Sequence, residues 1–327
     1  MGRYFKRNKC KLAAFPRIID LFLISLLVLL MSSIALSRDF TARCDTLLIV
    51  FTANNNGQLL DCGCEIESPA GLPRRLTAIK QLRREYGEIL LFEGGDFLGA
   101  TDVTSQNRIV LNVYEKFNYN ALAFGEQEFW NGLEFIKNAI LNRKQLFVST
   151  NLIRNDFTKV LEGKVSRKIQ FVNNGFKVNV FALLHKNSFF YFPKSKIPII
   201  SFEDVKVHLQ SELNKIKDPS SINVVIFHGH RWVLDELIKE FENISIWFSG
   251  HESANLNDSW QEVVSPVIVP SGTDGESLEL VELIRDENSV TKFRLKRLYL
   301  TEDILPDEKL LKTLEKYLYK NSVNLIK

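Results

Sequence analysis

The stretch LLFEGGDFLGA, residues 90–100, runs from a short apolar segment straight into Gly94-Gly95 and then presents Asp96. A short apolar run closed by glycine reads as a buried strand. The glycine pair lets the backbone bend tightly and approach a ligand closely, so Asp96 is well placed to touch an ion. One turn of this kind proves little; its weight depends on how other strands end.

Candidate strands lie at 47–51, 89–92, 121–124, 146–148, 224–227, 244–248 and 267–269. The strand at 47–51 leads into TANNNGQ, 121–124 into GEQEF, 224–227 into HGH and 244–248 into SGHES. With the opening stretch, five strands finish in polar or metal-capable side chains beside a glycine. Between strands, Val110, Val113, Tyr114 and Phe117 share one helical face, as do Leu234, Leu237, Ile238 and Phe241. Asn174-Gly175 joins two runs as a tight hairpin. A second hairpin is expected to turn near 286–289, and a last helix carries Leu310, Leu314, Tyr317 and Leu318. This alternation predicts one α/β domain with some antiparallel strands. In such sheets ligands bind in the crevice beyond the strand ends.

The 327 residues are 45% hydrophobic and 25% charged, ordinary for a globular chain, which argues against disorder or a fibrous repeat. The N-terminus stands apart. Arg3, Lys6, Arg7, Lys9, Lys11 and Arg17 precede the apolar stretch 21–36, which ends in Ala35-Leu36-Ser37. That order of charged, apolar and small residues is a secretory signal, with an uncleaved membrane anchor as the alternative. Residues 1–37 are therefore expected to export residues 38–327, either to the periplasm or onto the outer face of the inner membrane. The leader carries six basic residues and one acid, so the formal +3 becomes about −2 without it. No nucleic-acid groove is expected, and membrane contact is expected only through the N-terminal segment.

The strand-end motifs resemble those of the calcineurin-like metallophosphoesterases, in particular the N-terminal domain of bacterial 5′-nucleotidases. That family reads T-N-D-x-H-G, then G-G-D, G-N-H-E-F, a strand ending in His, and G-H-x-H, with a late G-x-x-G like Gly272-Thr273-Asp274-Gly275. The resemblance spans most of residues 46–285 and implies a four-layer α/β/β/α sandwich. It implies two divalent metals activating water against a phosphate ester. The nucleotidases' C-terminal substrate domain is not expected here.

Several positions depart from the pattern. The resemblance assigns one metal to positions 54, 56, 96 and 253, which here are Asn54, Asn56, Asp96 and Ser253. The other belongs to Asp96, Glu126, His228 and His251, all capable of ligation. Two imidazoles and two carboxylates suit one Zn²⁺, Mn²⁺ or Fe²⁺, so a mononuclear site is expected, with the second metal weak at best. Each of these four residues has an ordinary structural reading too, as a loop-bonding carboxylate or a satisfied core histidine. His230 stands near enough to replace His228. Gln127 occupies the family's catalytic histidine position and cannot exchange a proton near neutral pH. A general acid–base contribution of roughly 10²–10⁴-fold is then missing. Asn54, Asn56 and Ser253 can instead donate to a phosphate.

DCGCEIESPAGLPRR, residues 61–75, places Cys62 and Cys64 one residue apart. It resembles a branch of exported nucleotidase-like proteins that carry P-C-G-C followed by G-G-L-A-R-R. The thiols could ligate a soft metal, form a strained and easily reduced disulfide, or pair with Cys44 as a staple. Arg74 and Arg75 could reach an anionic ligand or remain solvated at a helix start marked by Pro73. Three functions follow: a metal-dependent hydrolase of phosphate esters or related small anions, a metal- or anion-binding protein without turnover, and a thiol redox protein.

Overall fold

Strand β1 (Thr46–Thr52) is apolar on both faces and buried almost throughout. Leu47, Ile49 and Phe51 point into one core, Leu48 and Val50 into another, as the two-residue period of a strand requires. A strand with two apolar faces needs a layer on each side, and the chain supplies both. The computed structural model describes residues 46–60, 70–152, 161, 163–196, 204–285 and 291–325. The expected leader, Cys44, the Cys62/Cys64 motif and the turn at 286–289 lie outside the described residues.

On one side of β1 runs β2 (Leu90–Glu93), parallel, and beyond it β3 (Ala121–Leu122), β4 (Phe147–Val148) and β5 (Val165–Ser166). On the other side lies β12 (Ser277–Arg285), antiparallel, then β13 (Thr291–Tyr299) and β10 (Gln261–Val263), completing a mixed eight-stranded sheet. A five-stranded sheet faces it, ordered β11 (Val267–Ser271), β9 (Ile246–Ser253), β8 (Ile222–Gly229), β7 (Phe176–Leu184) and β6 (Ile169–Asn173). The expected hairpin at Asn174-Gly175 joins β6 to β7, with Asn173 paired to Phe176 and both turn residues at positive φ.

Helices cover the outer faces. Residues of α1 (Leu72–Tyr86), α2 (Thr104–Phe117), α3 (Leu133–Leu141) and α6 (Glu308–Leu325) pack with Leu48, Val50 and Leu91 in one outer core. Those of α4 (Val205–Leu213) and α5 (Arg231–Glu240) pack with Phe181, Val225 and Trp247 in the other. The inner core joins both sheets, and the Phe51 and Phe248 rings stack across it at 4.5 Å. The architecture is the expected α/β/β/α sandwich. Among the described residues no helix is long and apolar enough to cross a membrane.

Some expectations need adjusting. The strand expected at 121–124 stops at Leu122; the Ala123 N–H makes the last bond to β2, to the Glu93 carbonyl (2.8 Å), before the chain enters its loop. The strand expected at 244–248 begins at Ile246 and continues to Ser253, so His251 belongs to it and pairs with Gly229. His228 likewise lies inside β8. Leu310 and Leu314 are buried, whereas Leu318 is 40% exposed because α6 outruns that packing.

Candidate metal centre

Parallel pairing brings the carboxyl ends of β1, β2 and β3 together, and β8 and β9 deliver theirs to the same place from the facing sheet. Two loops are stitched between β1 and β2: Asn54 N–H donates to the Gly95 carbonyl (3.0 Å) and Asn56 N–H to that of Asp96 (2.8 Å). Across the sheets, the His251 N–H donates to Asn54 Oδ1 (3.0 Å). Asn54, Asn56, Asp96 and His251 all take left-handed backbone, with φ of 53°, 52°, 56° and 67°. This conformation is uncommon outside glycine and several-fold enriched for Asn, Asp and His.

Four side chains meet at this point. The ligand-capable atoms of Asp96, Glu126, His228 and His251 all lie within 4.8 Å of one another. His228 Nε2 is 2.9 Å from Glu126 Oε2 and 3.5 Å from Asp96 Oδ2, and His251 Nδ1 is 3.3 Å from Glu126 Oε1. His228 is fully buried, Asp96 and Glu126 are buried, and the His251 side chain keeps 15% exposure at the mouth. The sequence-predicted quartet is thus gathered in space.

The chemistry of this donor set fits a cation. His228 Nδ1 lies 2.8 Å from the Gly94 carbonyl, which can only accept, so that nitrogen carries the proton. In the neutral ring Nε2 then turns a lone pair toward two carboxylate oxygens. Three acceptors converging in a buried space require a positive charge among them, either a second proton on the imidazole or a metal ion. The ionisation tendencies agree. Burial acts against the charged ring, yet the Asp96 and Glu126 carboxylates hold the His228 pKa well above its ordinary value. Burial and then the Glu126 charge raise Asp96. Burial also works against the Glu126 carboxylate, but hydrogen bonds from His228 and His251 outweigh it and lower its pKa.

Close backbone packing keeps this arrangement in place. A Cβ on Gly250 would lie 2.6 Å from the Gly94 oxygen and 2.8 Å from His228 Nδ1. One on Gly125 would collide with Asp96 Oδ1 and lie 2.6 Å from His228 Cε1. Glu128, which sequence reasoning misses, is fully buried and accepts from the N–H groups of Asp96 (2.9 Å), Leu98 (3.0 Å) and Gly125 (2.7 Å). It clamps the β2 and β3 loops together. Burial and the Asp96 charge push its pKa up to about 8 against the pull of those three donors. Its signal in the sequence is its place in GEQEF, directly behind Glu126 and Gln127.

The other expected residues are placed differently. Asn54 Nδ2 donates to Ser271 Oγ (3.0 Å), and Asn56 Nδ2 to Asp274 Oδ1 (2.8 Å), so their donors are engaged within the protein. Ser253 is exposed at the end of β9, in register with Ser271. Gln127 reaches Asp96 directly. Arg74 turns away from the cluster to the Ile304 carbonyl (2.6 Å), and Arg75 is buried against Tyr114 Oη (3.0 Å). His230 bonds Glu252 through Nδ1 (2.7 Å) and leaves the inner position to His228, its ring 4.8 Å from that of His251.

No family model matches the sequence. The rat (Rattus norvegicus) 5′-nucleotidase is 28% identical over 225 residues, covering 65% of this chain and 38% of its own length. Among solved structures, the 5′-nucleotidase precursor of Thermus thermophilus superposes with a TM-score of 0.70 at 19% identity, over 85% of this chain and 59% of that one. The calcineurin-like phosphoesterase YfkN of Bacillus subtilis gives 0.66 at 16% identity, over 86% and 99%. The chain has the fold of the calcineurin-like phosphoesterases and is similar in sequence to 5′-nucleotidases. It spans well under half the length of the rat nucleotidase it matches. The gathered quartet could hold a metal ion.

Proposed function

We propose that this chain is an exported hydrolase of phosphate esters or related small anions, working with one divalent metal held by Asp96, Glu126, His228 and His251. The observation that carries this reading is the convergence of those four side chains within 4.8 Å at the strand ends of a phosphoesterase fold. Two imidazoles and two carboxylates suit Zn²⁺, Mn²⁺ or Fe²⁺. Bound there, the ion supplies Lewis acidity toward an anionic ester. The chain's own groups do the positioning: the Gly94 carbonyl orients His228, and Gln127 and Glu128 fix Asp96 and its loop. Export is supported by the charged, apolar and small-residue order of residues 1–37.

One observation favours a second reading, a metal- or anion-binding protein without turnover. Gln127 has no group that titrates near neutral pH, and its carboxamide is engaged at both ends, with Ala100 N–H on one side and Asp96 and Asn56 on the other. A thiol role for Cys62 and Cys64 remains a third proposal, tested by their redox potential.

The deciding experiment measures metal identity and stoichiometry on the purified protein, together with turnover of an aryl phosphate and a panel of nucleoside monophosphates. We expect about one equivalent of metal per chain, and turnover that disappears, with the metal, in Asp96→Ala. Bound metal without turnover on the whole panel supports the second reading. Absence of bound metal after reconstitution rejects the first reading and the metal-binding form of the second.

A further inference from the structure

Next to the quartet, on the side of Asn54 and Asn56, the structure shows the opposite arrangement of polar atoms. The Ala100 N–H donates to Gln127 Oε1 (3.0 Å), which fixes the orientation of the carboxamide, since only its oxygen can accept. The amide NH₂ therefore faces inward and donates to Asp96 Oδ2 (3.0 Å) and Asn56 Oδ1 (2.9 Å). Asn56 passes the same polarity on, its Nδ2 donating to Asp274 Oδ1 (2.8 Å). The Gln127 backbone N–H takes the other Asp96 oxygen (3.0 Å). Asn54 is closed as well, accepting from the His251 N–H and donating to Ser271.

The path from Ala100 through Gln127 and Asn56 runs from N–H donors to the carboxylates of Asp96 and Asp274. In the quartet lone pairs face lone pairs and a positive charge is needed; here amide protons already meet both Asp96 and Asp274. A carboxamide nitrogen is a donor and no ligand, so a cation entering this half would have to turn the Gln127 carboxamide around and break the bond from Ala100. We propose that Gln127 is a positioning residue that stands in for a second cation, neutralising the outer side of Asp96 by hydrogen bonding and limiting the centre to a single metal. This rests on the reading of the quartet as a metal centre. Asp274, unremarked in the sequence beyond its place in the Gly272–Gly275 segment, is the acid that terminates the network.

Gln127→Glu tests the role directly, because it exchanges the inward NH₂ for an oxygen and sets a carboxylate against Asp96 Oδ2 and Asn56 Oδ1. With Asp274 behind, that is an oxygen-rich set suited to a hard divalent ion. The measurement is Mn²⁺ stoichiometry of the full chain, by native mass spectrometry and calorimetric titration. Wild type should saturate at one equivalent. Gln127→Glu should take a second, about 10-fold or more tighter than any second binding by wild type, as an added charged ligand predicts. Gln127→Met, similar in volume but with neither donor nor charge, should stay at one. If Gln127→Glu fails to fold, the shorter Gln127→Asp removes the same inward NH₂, places a carboxylate in the same half and should also gain the second ion. Two equivalents of comparable affinity in wild type, or a folded Gln127→Glu or Gln127→Asp protein that still holds one, would overturn the role of Gln127 while leaving the quartet standing. No binding by wild type or any variant would remove the metal centre itself, and the role of Gln127 with it.

Discussion

Glu93 closes β2 with no exposed surface. Its Oε2 accepts from Thr52 Oγ1 (2.5 Å), whose hydroxyl also pairs with Tyr119 Oη (2.8 Å). Burial pushes the Glu93 carboxyl up to about 7, although nearby Arg75 and the Thr52 hydroxyl pull it down. A carboxyl raised in this way binds its proton more tightly folded than unfolded. Its contribution to stability is therefore complete below the unfolded value of about 4.3 and is lost as pH rises through about 7. The loss should be on the order of 3 kcal/mol. Urea unfolding at a series of pH values should show wild-type stability falling across that window, and Glu93→Gln should flatten the fall. An unchanged pH profile in the variant would place the titrating group elsewhere. Arg75 belongs to the same neighbourhood: it neither reaches the strand-end cluster nor stays solvated at its helix start, but lies fully buried near Glu93, bonding Tyr114 within a layer of aromatic rings.

At the scale of elements, the centre depends on how closely β8 and β9 approach the β2 loop. Gly250 is the tightest test, because an added Cβ would press on the Gly94 carbonyl that orients His228. Gly250→Ala should weaken metal affinity by about 10–100-fold, the usual cost of losing an outer partner of a histidine ligand. Metal titration reports the affinity, and circular dichroism should show the sandwich retained. Such strand ends were legible in the sequence because apolar runs stop abruptly at glycine beside a polar residue. Strand lengths were less so, since pairing partners decide where a ladder stops: β3 makes its last bond to β2 at Ala123, and β9 gains His251 by pairing with Gly229. Asp96, Glu126, His228 and His251 could be read as a group from their motifs. Glu128 shares the GEQEF motif, but its role as a clamp was not legible, because the three backbone N–H groups it accepts from converge on it only in the fold.

For the whole molecule, the centre couples parts of the chain that are far apart in sequence. Asp96 and Glu126 come from the eight-stranded sheet's loops, while His228 and His251 sit on two strands of the facing sheet. An ion bound by all four would link the sheets and favour the folded state by mass action. At a free metal concentration about 100 times Kd, the gain is roughly 2.7 kcal/mol. The melting temperature should accordingly rise with metal concentration and drop on chelation, and Asp96→Ala should remove that dependence. A melting temperature indifferent to chelator, in protein shown to have been metal-loaded, would mean that the ion does not join the layers.

The left-handed backbone at positions 54, 56, 96 and 251 also constrains what evolution can place there. Branched and bulky side chains are disfavoured by handedness alone, and the types that remain, Asn, Asp, His and Gly, include three that can contact an ion. Exchanging one of these for another alters the local charge and the number of cations that can be held, yet asks nothing new of the main chain. The mouth of this sandwich can therefore be rewritten for different chemistries one side chain at a time, on a scaffold that need not change shape.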